Sequence, residues 1–345
     1  MPRAFNVVPT GIGSLPFTDV NEACGVIFQH VPEAPHWPQL PRLSPREGMI
    51  DQCLEGMPGV VVAEGGKPYL RALEPHEEWE QFYQDYEEGD LDAFAISSER
   101  AKGFYAFLEE IGRRKPPPFV KGQVTGPITL GLTLKEQGGA ATFFNQDLRD
   151  MLVKLVAMKA RWQEETLQRI LPQAETIIFL DEPILSSYGS AFMNVGREEV
   201  ISALKEACTP LQGLKGVHIC GNTDWPMIME AGLDIIDFDA YYYLSSFLLY
   251  AEQLRVFLEG GGAVGWGIVP TDEEALKSVN PPELVGRLRE GIDQLAAEGI
   301  PHGLLAERSL ITPSCGAGSL SEDGARRAYG MTAEVAALLR REWSS

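Results

Sequence analysis

In KGVHICGNTDW (215–225) a histidine and a cysteine stand two residues apart in a short apolar run. In a strand, side chains two apart point the same way, so His218 and Cys220 would share one face. An imidazole and a thiolate are ligands suited to zinc. Two ligands do not hold a metal, and a third candidate, Cys315, closes another apolar run in SLITPSCGAG (309–318). In DIIDFDA (234–240), Asp237 and Asp239 also share a face. Asp239 can serve as a fourth ligand, cap a helix or hydrogen-bond a ligand; Asp237 is the weaker candidate. A lone buried cysteine is most often an inert small hydrophobe, which is the reading for Cys24, Cys53 and Cys208. For His218, Cys220 and Cys315 together, metal binding outweighs that reading.

Other chemistry-bearing residues fall at similar places. GIGSLP puts Ile12 and Ser14 just past an apolar run, with glycines that let backbone approach a ligand or simply make a tight turn. VVVAEGG ends on Glu64, and TIIFLDEP ends on Asp181 and Glu182. Each acid alone could be a loop cap; together they would ring a pocket floor that also holds a metal. The Gly-Pro turn of VTGPITLG reads equally as a structural corner or a substrate contact.

Eight short β-branched runs must position these groups: 6–13, 60–64, 119–126, 176–183, 216–221, 234–240, 263–269 and 309–316. Their near-continuous apolar character predicts strands covered on both faces, as in parallel sheets. Helical patterns lie between them, the longest over 147–172 with Pro172 as its stop, and 321–343 closes the chain. An extra helix is expected within 93–115, ahead of the third strand. Strands alternating with helices eight times predict an α/β fold, a single (β/α)8 TIM barrel over 1–345. Barrel sites are built at the C-terminal strand ends, where all the candidates fall. The proline-rich stretch at about 30–47 is expected to be an irregular loop, a lid, partner surface or long connection.

Composition narrows the partners. With 345 residues the chain can bury a large core without staples. A formal charge of −20 disfavours nucleic acid and polyanionic substrates. Five cysteines without framework spacing predict a reducing, cytoplasmic setting. The first sixteen residues lack a secretory leader pattern, and no apolar run is long enough to span a membrane.

HICGNT resembles the histidine–cysteine motif of zinc methyltransferases that move a methyl group from a corrinoid to a thiol. TGIGSLP, VTGPITL, LDEP and PSCG resemble, in the same order, segments of the catalytic barrel of cobalamin-independent methionine synthase. Both groups share a barrel superfamily with uroporphyrinogen decarboxylase. The resemblance runs from about Thr10 to Cys315. It implies zinc held by His218, Cys220 and Cys315, with the family's glutamate ligand falling near Asp239, a changed residue type. It also implies homocysteine held by the backbone around Ile12 and Ser14, with Glu64 and Asp181 facing its amino group. Methionine synthases of this family carry a second barrel that helps bind a polyglutamylated folate, and the length here suits one barrel. The expectation is therefore a stand-alone core enzyme whose donor is a methylcorrinoid, either methylcobalamin or a corrinoid protein. Zinc would activate the substrate thiol as a nucleophile. Coenzyme M-type methyl transfer and uroporphyrinogen decarboxylation are rival enzymatic readings, both calling for basic groups. A structural or sensing zinc protein is the non-enzymatic one.

Overall fold

The computed structural model describes residues 4–62, 67–71, 77–191 and 193–343. Its strands in chain order are β1 (Val8–Pro9), β2 (Val60–Val61), β3 (Tyr69–Leu70), β4 (Phe119–Thr125), β5 (Lys135–Glu136), β6 (Glu175–Asp181), β7 (Leu214–Ile219), β8 (Ile235–Phe238), β9 (Ala263–Val269) and β10 (Ser309–Pro313). Seven of them form one sheet in the order β1-β10-β9-β8-β7-β6-β4. Every pairing in it is parallel. Almost every residue of these strands is buried, which is why their sequences read as unbroken apolar runs rather than as alternation. The sheet curls in the manner of a TIM-like barrel.

The two sheet edges, β1 and β4, do not pair with each other. Residues 33–39 lie between them. The Phe119 and Lys121 amides donate to the carbonyls of Glu33 and Pro35 at 3.1 and 2.9 Å. On the other side the Gln39 amide donates to the Gly13 carbonyl at 3.1 Å, and the Leu15 amide donates to the Gln39 carbonyl at 2.9 Å. The Thr10 hydroxyl adds a bond to the Ala34 carbonyl. The stretch expected to be irregular has no helix or strand between His30 and Pro45, yet its residues 34–40 are buried between the two sheet edges rather than exposed as a lid. Pro35 and Pro38 supply no N–H, so the ladder is broken into isolated bridges at Ser14–Gln39 and His36–Lys121.

The described start of the run 60–64 is not in this sheet. Val60 and Val61 pair with β3, which pairs with β5 in a separate three-stranded sheet. Glu64 lies outside the described residues.

Two apolar cores follow. One small cluster takes Val8, Ala34, Phe119, Ile177, Phe179, Leu214, Ile235, Ala263 and Leu310, drawing on every strand of the large sheet and on residues 33–39. A larger core lies between the strands and the helices around them. Fully burying each such side chain stabilises by about 1.5–3 kcal/mol before entropy is counted. The helix Gln146–Ile170 packs on β4 and β6; Asn145 caps it by accepting from the amides of Asp147 and Leu148, and it ends before Pro172. The helix Glu322–Trp343 packs on β1 and β10. The extra helix before β4 is Lys102–Ile111. No helix among the described residues is long and apolar enough to cross a membrane.

Candidate active site

His218 is the fifth residue of β7, and Cys220 follows that strand directly. Cys315 stands two residues past β10. The turn that carries Cys315 is pinned through its neighbour: the Ser314 amide donates to the Val269 carbonyl at 2.8 Å, and the Ser314 hydroxyl accepts from the Thr271 amide. Gly267 of β9 permits this approach, since a Cβ there would lie 3.0 Å from the Ser314 Cα and 2.3 Å from the Phe238 carbonyl oxygen. One ligand atom from each of His218, Cys220 and Cys315 falls within 4.8 Å of the others. The three residues expected to hold zinc are thus brought together.

The donor set fits the metal. His218 is buried, and its Nε2 has no hydrogen-bond partner among the described residues. Its Nδ1 lies 2.5 Å from Asp237 Oδ1, so Nδ1–H donates to the carboxylate and Nε2 is left as the coordinating nitrogen. Asp237 is held in turn by the Thr312 hydroxyl at 2.8 Å. The parallel register sets His218 opposite Asp237. Gly265 on β9 makes room, for a Cβ there would meet Asp237 Oδ2 at 2.1 Å. Asp237 therefore supports the histidine rather than competing for a metal. Asp237→Asn is expected to weaken zinc binding by about 10- to 100-fold while the fold persists, read by competition with a chelator. Unchanged affinity would show that the carboxylate has no such role.

Charges in the cluster reinforce one another. The Cys315 thiol donates toward Cys220, and that bond, with His218 nearby, pulls Cys220 down to about 4 against the effect of burial. Cys315 is pushed far up by the same partner and by burial. Burial alone would lower His218, but the bond to Asp237 and the neighbouring Cys220 raise it to about 10. The cluster thus favours the thiolate at Cys220, the form in which a cysteine binds a metal. A metal would have to displace the remaining protons.

Asp239 is not in the three-residue group. It follows β8 and caps the helix Ala240–Phe247, its Oδ1 accepting from the Tyr242 amide at 3.0 Å. Burial raises it to about 6. Of the roles left open by sequence, the structure shows the cap.

A cleft of about 300 Å³ opens beside the cluster. His218, Cys220 and Cys315 line it together with Ile12, Ser14, Gln39 and Asp181. Asp181 ends β6; only 6% of it is exposed, and its Oδ1 has no partner among the described residues. Burial raises it to about 6, opposed by Lys121 and His218. Lys121, fully buried on β4, donates from Nζ to the Ile12 carbonyl at 2.8 Å and so fixes the loop after β1. Glu182 takes a different part. Its carboxylate accepts from the Ile128 and Thr129 amides and the Thr129 hydroxyl, and Gly126 leaves space for it. The Gly-Pro turn is thus a structural corner.

Sequence reasoning missed Gln39 and underrated Asp237. Gln39 carried no signal, because the prolines beside it leave only an isolated bridge to Ser14 and no strand pattern. Asp237 did carry one: a carboxylate on the strand following the histidine strand.

No family model matches the chain, and no curated protein is similar to it in sequence. Solved structures do share its fold. A B12-independent methionine synthase from Shewanella sp. W3-18-1, in complex with selenomethionine, superposes with a TM-score of 0.60 at 16% identity, over 97% of this chain and 98% of that one. A methyltransferase from Methanosarcina mazei superposes with a TM-score of 0.55 at 13% identity, over 100% of this chain and 95% of the other. At such identities the likeness is one of fold, and the chain has the α/β, TIM-like barrel architecture of these methyltransferase structures.

Proposed function

We propose that this chain is a zinc-dependent methyltransferase that methylates the thiol of homocysteine, giving methionine. The observation that carries the reading is the convergence of His218, Cys220 and Cys315 within 4.8 Å, beside a cleft lined by Asp181, one oxygen of which has no partner among the described residues. The fold of the methionine synthase and methyltransferase structures supports it. We read the whole of 1–345 as one (β/α)8 barrel, residues 33–39 filling the second position. The catalytic barrel of the cobalamin-independent methionine synthase family is the description that suits this arrangement.

Zinc held by the three residues would keep the substrate sulfur as a thiolate at neutral pH, where a free thiol of pKa ~8.5 is mostly protonated. The chain's own groups do the rest. Asp237 holds the His218 ring in place. Asp181 takes the ammonium, and the loop at Ile12 and Ser14 borders the amino-acid part of the substrate. Met49, Pro41 and Pro183 wall the cleft with apolar surface and limit water around the sulfur. The sulfur attacks the methyl carbon in line; the S–C bond forms as the bond to the donor breaks, and the electron pair stays on the donor.

None of the described residues lining the cleft is Lys or Arg. This disfavours a sulfonate thiol such as coenzyme M, and the many carboxylates of a uroporphyrinogen. A purely structural or sensing zinc centre is disfavoured by three ligands and an adjoining cleft, since structural sites close with four. Asp239, close enough to feel the charges of His218 and Cys220, remains a fourth group that we propose can approach the metal. The thiols need a reducing setting, consistent with the cytoplasm, because Cys220 and Cys315 lie close enough together for oxidation to disable them.

The donor in this reading is a methylcorrinoid, free or on a corrinoid protein. The −20 charge and a cleft whose described lining residues include no Lys or Arg suit it better than a polyanionic folate. Zinc-loaded protein is expected to form methionine from homocysteine with methylcobalamin and not with methyltetrahydrofolate. Equal rates with folate, no corrinoid present, would reassign the donor. No methylation of any thiol by either donor would remove the methyltransferase reading.

A further inference from the structure

The second barrel position ends on Gln39, a neutral residue, where the sequence led to a glutamate. Its amide is oriented by a relay. Gln52 Nε2 donates to the Arg100 carbonyl at 2.6 Å, and a carbonyl can only accept. Gln52 must therefore turn Oε1 toward Gln39, and Gln39 Nε2 donates to it at 2.9 Å. The network fixes which amide atom is which, and Gln39 Oε1 is left on the side of Gly13. A Cβ on Gly13 would lie only 2.7 Å from that oxygen. Gln123 is locked in the same way: its Nε2 donates to the Trp37 carbonyl at 3.0 Å. Its Oε1 is buried without a partner among the described residues, and its Cδ would lie 3.3 Å from the same Gly13 Cβ.

This end of the cleft thus presents acceptors. Asp181 Oδ1 and the Gln39 oxygen border it, and the buried Gln123 oxygen stands behind Gly13. A buried acceptor left unmatched is destabilising, so the matching ligand is one that brings several N–H groups and a single positive charge. A primary ammonium does so. A carboxylate or sulfonate would set oxygen against oxygen, and a trimethylated amine has no N–H to offer.

We propose that Gln39 is a specificity residue whose amide oxygen, locked by Gln52 and the Arg100 carbonyl, accepts an N–H of the substrate's primary ammonium beside Asp181. The inference rests on the reading of the cleft as a site for an amino-acid thiol, and names the group that makes it selective for one.

Titration calorimetry with methionine and with 4-(methylthio)butanoate, which lacks the amine, tests it on the full chain, metal-free and zinc-loaded. Both probes are thioethers, so the comparison does not depend on enzyme turnover. Wild type is expected to prefer methionine, and Gln39→Met to lower that preference by about tenfold, the effect of one hydrogen bond to a charged group. Gln39→Glu, which keeps an acceptor, is expected to retain the preference. An unchanged preference in Gln39→Met overturns the proposal. So does an equal loss of both probes in both variants, which would make Gln39 part of the scaffold. If Gln39→Met does not fold, Gln52→Leu, which releases the amide, must also lower the preference; no change there overturns the proposal. Wild type that methylates homocysteine without preferring methionine refutes this inference alone. Wild type that neither binds methionine nor methylates a thiol refutes the functional reading and this inference together.

Discussion

Cys315→Ser is expected to weaken zinc binding by more than about 100-fold, beyond the effect of losing a supporting partner such as Asp237, and to abolish thiol methylation. Serine keeps the size and shape of the side chain. Its hydroxyl is a hard, neutral donor that does not ionise near neutral pH, so the site loses both a soft ligand and a negative charge. The fold should survive, because the hydrogen bonds that pin this turn belong to Ser314 and not to Cys315. Cys220→Ser should behave alike. Cys208→Ser is the control: that thiol is buried in the outer core at the end of the helix Arg197–Cys208, pushed up to about 12 by burial, and has no part in the cluster. Metal analysis after dialysis against a chelator, with circular dichroism on the same samples, checks the set. Wild-type zinc in both Cys315→Ser and Cys220→Ser would remove the metal centre from the account.

The parts of this site that were legible in the sequence are those that strand periodicity alone determines. His218 and Cys220 share a face whatever surrounds them, and a parallel strand delivers them to the same end as Cys315 and Asp181. What was not legible depended on partners from elsewhere in the chain. Asp237 and Asp239 have identical spacing signals, yet one faces His218 across a register and the other meets the first turn of a helix. Only the neighbouring strand, with Gly265 opposite the Asp237 carboxylate, separates the two roles. The segment 33–39 between the two sheet edges was hidden for a different reason. A wall segment with two prolines has too few N–H groups to look like a strand, while Val60–Val61 has the composition of one and pairs in another sheet. Hydrophobic pattern reports burial and period, but not which sheet a short run joins. Glu64 lies outside the described residues, while Gln39, which carried no sequence signal, lines the cleft.

Asp181→Asn is the substitution expected to separate substrate recognition from metal binding and folding. The carboxylate is buried at the end of β6, outside the three-ligand group, with one oxygen free of partners among the described residues. A charge-assisted bond from a buried carboxylate to an ammonium contributes about 1.5–3 kcal/mol. Asparagine preserves the shape and removes the charge, so kcat/KM for homocysteine is expected to fall by roughly 10- to 100-fold. Zinc content should stay at the wild-type level, and an amine-free thiol should be used almost as before. Stability is expected to move the other way. Burial outweighs Lys121 and His218 and raises Asp181 above its ordinary range. A carboxyl raised in this way opposes folding once the pH passes its unfolded value, and the penalty is fully present above about 6. Removing the charge should therefore raise the denaturant midpoint of the ligand-free protein at neutral pH, the sign expected of a group kept for function at the expense of stability. Loss of zinc or of the folded state in Asp181→Asn would place the residue in the scaffold. Equal losses with homocysteine and with an amine-free thiol would withdraw ammonium recognition from it and bring thiols without an amino group back as substrates.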